Sequence, residues 1–296
     1  MAKELAFVII NPYTIAKSRT GGVIARYIGR TDLNLVGARM FAPGRKLVEE
    51  YSEIVRHADP SQQAMCSLIA DYIVKSYGPN PATGKSRRVM LLLFEGEDAI
   101  SKIWQVTGSA TSSRSTGETI RDTYGDYIAN ENGEVIYFEP AVLVGPTKLR
   151  VAATLKLWAK YSASDGGLVE SAWEVPSGEH VEKTLVLLKP DNFRYPSTRP
   201  GNIIDMLSMS GLRIIGVKKF CMTIAQAEEF YAPVKEAIRS KFREIGAKRA
   251  GDVLSREFGI DIPDESLDDL ARDIGPLYAK TQFENIIKFM TGFKPS

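Results

Sequence analysis

The segments Phe7-Val-Ile-Ile-Asn-Pro12 and Leu185-Val-Leu-Leu-Lys-Pro190 decide how the chain is read, because each is a short apolar run closed by proline and the second repeats the first. Such a run reads as a buried strand. Working outward, Arg19-Thr-Gly-Gly-Val-Ile24 is matched by Arg199-Pro-Gly-Asn-Ile-Ile204, each opening a helical pattern. Leu35-Val-Gly-Ala-Arg-Met-Phe41 is matched by Ile214-Ile-Gly-Val-Lys-Lys-Phe220 as a second strand, and Glu49-Glu50-Tyr51 by Glu229-Phe230-Tyr231 in a helix. That helix opens, in the second copy, on a Thr223-x-x-Gln226 capping-box pattern. Four blocks in one order, spaced by about 180 residues, indicate a duplication.

The first copy continues through a helix over 62–76, a polar loop over 78–87 and the strand Val89-Met-Leu-Leu-Leu-Phe94. A short helix (98–105), a Ser/Thr/Gly-rich loop (107–119), a strand over 135–138 and a helix over 147–161 follow. Strands joined mainly by helices predict an α+β fold, a ferredoxin-like antiparallel sheet with helices, duplicated. Gly166, Gly167, Pro176 and Gly178 mark a linker, so the expected organisation is a domain over 1–161, a linker over 162–180 and a partial second copy over 181–296. That second copy is expected to supply only two strands, near 184–188 and 213–220, and a helix over 281–290.

Composition narrows the function classes. A net charge of +2 is too small to imply a nucleic-acid partner through bulk electrostatics. No apolar run is long enough to span a membrane, and the N-terminus lacks a signal peptide's apolar region and cleavage site, so a cytoplasmic protein is expected. The two cysteines, Cys66 and Cys221, stand far apart among apolar neighbours, which argues against a disulfide framework or a cysteine metal site. Gly78 to Ser86 ends in Gly-Lys-Ser, but its glycine spacing, its prolines and its place before a strand exclude a P-loop.

Several stretches resemble motifs of nucleoside diphosphate kinases. Leu187-Leu188-Lys189-Pro190-Asp191, Glu228-Glu229-Phe230-Tyr231 and Phe283-Glu-Asn-Ile-Ile-Lys-Phe-Met290 are similar to that family's Lys-Pro-Asp, Glu-x-x-Tyr and Phe-x-x-Leu-Val-Lys-Tyr-Met elements. In the first copy, Leu93-Phe94-Glu95-Gly96, Gly108-Ser-Ala-Thr111 and Thr119-Ile120-Arg121 are similar to its Trp-Glu-Gly, Gly-Ala-Thr-Asn-Pro and Gly-Thr-Ile-Arg stretches. The resemblance implies transfer of the γ-phosphate of a nucleoside triphosphate to a nucleoside diphosphate through phosphohistidine, with Mg²⁺ carried on the bound nucleotide. It implies nucleotide contacts at Lys189, Tyr231 and Phe283 in the second copy, and at Thr111, Arg121 and Asn132 in the first.

The departures from the family pattern are as informative. The phosphate-lysine position of the first copy is Asn11, a neutral amide where a point charge is needed, and an arginine position falls near Gln105. The nucleophile is expected within 134–137, which read Glu-Val-Ile-Tyr and contain no histidine. The only histidines, His57 and His180, lie elsewhere, so no catalytic residue is assigned. Arg114, in the Ser/Thr-rich loop, is a candidate for a missing cation. Two functions follow: a kinase whose histidine lies past Ser296, where the family would enter its third strand, or a catalytically inactive nucleotide-binding or scaffold module. The apolar edge of an incomplete second copy also predicts packing on the first copy or, by preference, a homo-oligomer.

Overall fold

The computed structural model describes residues 3–111, 117–172 and 181–292, which pack as two units. The first comprises residues 1–188 with 192–219, and the second residues 189–191 with 220–296.

The first unit is built on β1 (Glu4–Ile10), β2 (Asn34–Phe41), β3 (Val89–Gly96) and β6 (Val142–Val144), an antiparallel sheet in the order β2-β3-β1-β6. This is the ferredoxin-like arrangement expected of the sequence. β1 pairs with β3 from Glu4↔Gly96 to Ile10↔Met90 and with β6 from Val8↔Val144 to Ile10↔Val142. Ala6 through Ile10 are all buried, which is why the segment shows an unbroken apolar run and not alternation.

Both faces of the sheet are therefore covered. On one, Tyr27 of α2 (Thr20–Arg30) packs on Phe94 with ring centroids 5.8 Å apart. On the other, Trp158 of α7 (Lys148–Lys160) meets Phe41 edge-on at 4.9 Å and Tyr51 of α3 (Arg45–Arg56) at 5.5 Å. Phe94 and Val89, the partner of Phe41, are separated by an odd number of positions on β3 and so point to opposite faces. The remaining helices of this unit are α1 (Pro12–Ala16), α4 (Gln63–Ser76), α5 (Ala99–Thr107), α6 (Ile120–Tyr124) and α8 (Arg199–Met209).

Two expectations are corrected. The strand expected over 135–138 exists as β5 (Val135–Glu139), but it pairs with β4 (Asp126–Ala129) in a separate hairpin, and β6 takes the fourth place in the sheet. In the second copy, 184–188 and 213–220 form no strands: Leu185 is 80% exposed, and the only ladder pairing of the latter segment is a single antiparallel bridge from Lys218 to Arg39. An apolar strand sequence without a neighbouring strand to satisfy its backbone does not become a strand.

The open edge of β2 is also paired by residues of the expected linker. Gly166 bridges Phe41, the Ala42 N–H donates to Asp165 O at 2.7 Å and the Gly167 N–H to Met40 O at 2.9 Å. These contacts cap an edge that would otherwise invite another chain.

The second unit is helical: α9 (Ile224–Lys241), α10 (Ala247–Phe258) and α11 (Asp264–Met290), with a wide turn at Phe242–Gly246. The capping box at Thr223 and Gln226 is present, and α10 stops at Gly259, whose φ of 65° favours glycine. The helix expected over 281–290 is the end of the 27-residue α11. Phe242, Ala247 and Ala271 form a small core, on which Tyr278 packs at 4.8 Å from Phe242. No helix among the described residues is long and apolar enough to cross a membrane.

Candidate functional site

β1 carries Asn11 to the start of α1, where Pro12 fixes the first helical position. Asn11 is fully buried. Its N–H donates to Ala141 O at 3.1 Å, its Nδ2 donates to Glu139 Oε1 at 3.2 Å, and its Oδ1 accepts from the Tyr77 hydroxyl at 2.6 Å. Tyr72, on α4 five residues before Tyr77, donates to both oxygens of Glu139 at 2.8 and 2.7 Å. The Ala141 N–H adds a further donor to Glu139 Oε1 at 3.2 Å. Thus the phosphate-lysine position of the family pattern is occupied by an amide whose polar groups are spent inside the protein.

Glu139 is 4% exposed, and burial raises its carboxyl above the usual carboxylate range although Tyr72, Asn11 and Ala141 pull it down. Burial likewise raises the Tyr72 and Tyr77 hydroxyls, which remain neutral donors. A buried network in which every member is paired holds one geometry, and opening it for a ligand would expose each partner in turn.

Arg121, expected to bind phosphate, sits on α6 behind the Thr119 capping box and is 8% exposed. Its Nη1 donates to Gly108 O at 2.9 Å and its Nη2 to Val142 O at 3.2 Å, and burial pushes its guanidinium down to about 10. It braces the loop against β6. Its Nε has no partner among the described residues. The loop leading into α6 is further held by α2, where Arg26 donates to Thr119 O at 2.8 Å and Arg19 to Tyr124 O at 3.3 Å.

Arg121 and Glu139 line one small cavity of about 50 Å³ together with Ser109, Asp122, Asp126 and Tyr127. Such a volume admits water molecules and falls well short of a nucleotide site. Thr111 lies in the turn just beyond Ala110, with its N–H on the Ser109 hydroxyl at 3.3 Å. Asn132 is exposed at the tip of the β4–β5 hairpin, its N–H on Asn130 Oδ1 at 3.0 Å. Arg114 lies outside the described residues.

Residues 134–137, the segment expected to hold the nucleophile, are on that hairpin and not in the four-stranded sheet. Glu134 accepts from Asn130 Nδ2 at 2.7 Å. His57 is exposed at the end of α3, 3.3 Å from Glu53, and His180 lies outside the described residues.

Lys189, Tyr231 and Phe283 belong to the second unit. Lys189 is exposed, Tyr231 is half-buried with its ring 4.9 Å from Phe230, and Phe283 is half-buried with the Lys235 ammonium 5.7 Å from its centroid. No three His, Cys, Asp or Glu side chains converge as a metal site among the described residues. In the first unit Asn11 and Arg121 are engaged by protein groups, so these residues do not fit a Mg²⁺-bound polyphosphate.

Sequence reasoning did not identify Glu139, Tyr72 or Tyr77. The available signal was Ala141-Val-Leu-Val144 ahead of Gly145-Pro146, an apolar run closed by turn residues like β1, with an acidic residue at its entrance.

The nucleoside diphosphate kinase of Legionella pneumophila strain Lens is 28% identical over 128 residues, 43% of this chain and 79% of that protein. The nucleoside diphosphate kinase of Staphylococcus haemolyticus is 32% identical over 124 residues, 41% of this chain and 70% of that protein. Among solved structures, the Borrelia burgdorferi nucleoside diphosphate kinase with vanadate and ADP superposes on 53% of this chain and 86% of its own, with TM-score 0.41 and 19% identity. The family model for nucleoside diphosphate kinase matches residues 4–133 and 182–245, more than half of the 296 residues and in two stretches. With a ferredoxin-like sheet in the first unit and that match on both sides of the repeat, the chain belongs to the nucleoside diphosphate kinase family.

Proposed function

We propose that this family member is a cytoplasmic nucleotide-binding or scaffold module that does not transfer phosphate, its first copy having turned the phosphate site into core. The single observation that carries the reading is the Asn11–Glu139–Tyr72–Tyr77 network, which spends every polar group at the phosphate-lysine position on protein partners. Contact with nucleoside di- and triphosphates, and with the Mg²⁺ they carry, then rests with Lys189, Tyr231 and Phe283 of the second copy. Lys189 offers the phosphates a charge-assisted hydrogen bond and Phe283 an aromatic face for the base.

Calorimetry with Mg·ADP on the whole chain tests this. Lys189→Ala is expected to weaken binding about tenfold or more, the worth of one charge-assisted bond. Asn11→Lys is expected to leave affinity unchanged while lowering stability, because the longer side chain enters a filled network. Tighter binding by Asn11→Lys, with Lys189→Ala silent, would place the nucleotide in the first copy and refute the reading.

A further inference from the structure

The sequence repeat and the packing of the first unit meet along α2 and α8. By the repeat, Gly21 is the equivalent of Gly201, Ala25 of Asp205, Ser18 of Thr198 and Arg39 of Lys218. The two helices cross at the equivalent glycines. A Cβ placed on Gly21 would stand 2.2 Å from Gly201 O, and one placed on Gly201 would stand 2.2 Å from Gly21 O. Glycine at both positions is what allows the backbones to approach this closely.

The flanking contacts come in exchanged pairs. Gly21 faces Asp205 while Gly201 faces Ala25, and exchanging the copies converts one contact into the other. The Ser18 hydroxyl reaches Ser208 O at 3.5 Å, and Thr198, the equivalent of Ser18, lies against Gly29, one residue from the equivalent of Ser208. At the sheet edge, Arg39 and Lys218, again equivalent to each other, form an antiparallel bridge. An interface in which a residue meets its own equivalent, and every i-to-j contact is mirrored by a j-to-i contact, is isologous, the arrangement of a two-fold dimer.

We infer that residues 199–218 occupy, inside one polypeptide, the isologous face that a second copy of the chain would otherwise take, making the first unit a tethered pseudo-dimer closed to homodimerisation through α2 and β2. The expected homo-oligomer is thereby replaced, on this face, by a partner supplied in cis. Tethering favours it: an intramolecular partner acts at an effective concentration in the millimolar range, above that of any free chain. The helix keeps its seat although its own copy builds no sheet, since the α2 face and the β2 edge do not require one.

The test uses disulfide trapping in the whole chain with Cys221→Ser. Opposed residues of an antiparallel bridge lie within disulfide range, so Arg39→Cys with Lys218→Cys is expected to oxidise to an intrachain bridge. The product should stay at 32.7 kDa and yield a linked 39–218 peptide by mass spectrometry. Each single variant is expected to remain a monomer under the same oxidation. A covalent dimer from either single variant would show two chains meeting at the self-equivalent residue and overturn the inference, as would a double variant lacking the intrachain bridge. Should Arg39→Cys fail to fold, Gly29→Cys with Thr198→Cys reports the same crossing from exposed positions: an intrachain 29–198 bridge is expected, and a double variant that instead forms a disulfide-linked dimer, or no bridge, would overturn the inference.

Discussion

At the residue scale, Asn11 shows how a single side chain redirects a site. A lysine there would present a point charge to phosphate, whereas the amide has one acceptor and one donor group that Tyr77 and Glu139 satisfy. The substitution was legible in the sequence, but its consequence was not, because the partners lie 66 and 128 positions away. Glu139 carries a pH signature. Its folded pKa is raised, so it favours the folded state most below the unfolded carboxylate range, and that contribution falls as pH climbs through the raised value. Glu139→Gln removes the titration while keeping an acceptor for Asn11 and Ala141. Thermal melts from pH 4.5 to 7.5 are therefore expected to show the variant gaining on the parent as pH rises; a constant difference would mean that Glu139 does not titrate in this window.

At the scale of elements, the strongly patterned segments were readable and the short ones were not. β2, β3, α4 and α7 fall within a residue or two of expectation, and β1 begins at Glu4, three residues ahead of its apolar run, because their apolar patterns exceed what a loop tolerates. β6, with three residues, was overlooked in favour of β5, whose Val135-Ile-Tyr-Phe has the stronger strand composition. Composition could not show that Ile136 would be 67% exposed on a hairpin while Val142 is buried beside β1. The physical difference is testable. A two-stranded hairpin is marginal without cover, so amides of β4 and β5 are expected to exchange at least about a hundredfold faster than those of Phe7 to Ile10. Equal protection in hydrogen-exchange mass spectrometry would show the hairpin to be part of the cooperative core.

On the scale of the whole molecule, duplication was visible in the sequence, but the fates of the copies were not. The first copy keeps the sheet. Of the second, the α8 segment and Lys218 are built into the first unit, while 220–292 folds as helices. A repeat in sequence fixes which residues are equivalent, but not whether each copy can close its own sheet, which depends on having strands enough to pair. The candidate nucleotide residues are accordingly divided between two units, three in each, and of the first unit's set Arg121 is spent on its own backbone while Asn132 stands exposed on a hairpin tip. The central claim is that phosphoryl transfer has been lost, and the most direct measurement is incubation of the whole chain with Mg²⁺ and γ-labelled ATP, followed by acid and base treatment. No acid-labile, base-stable phosphoenzyme is expected; stoichiometric phosphohistidine at His57 or His180 would contradict the account.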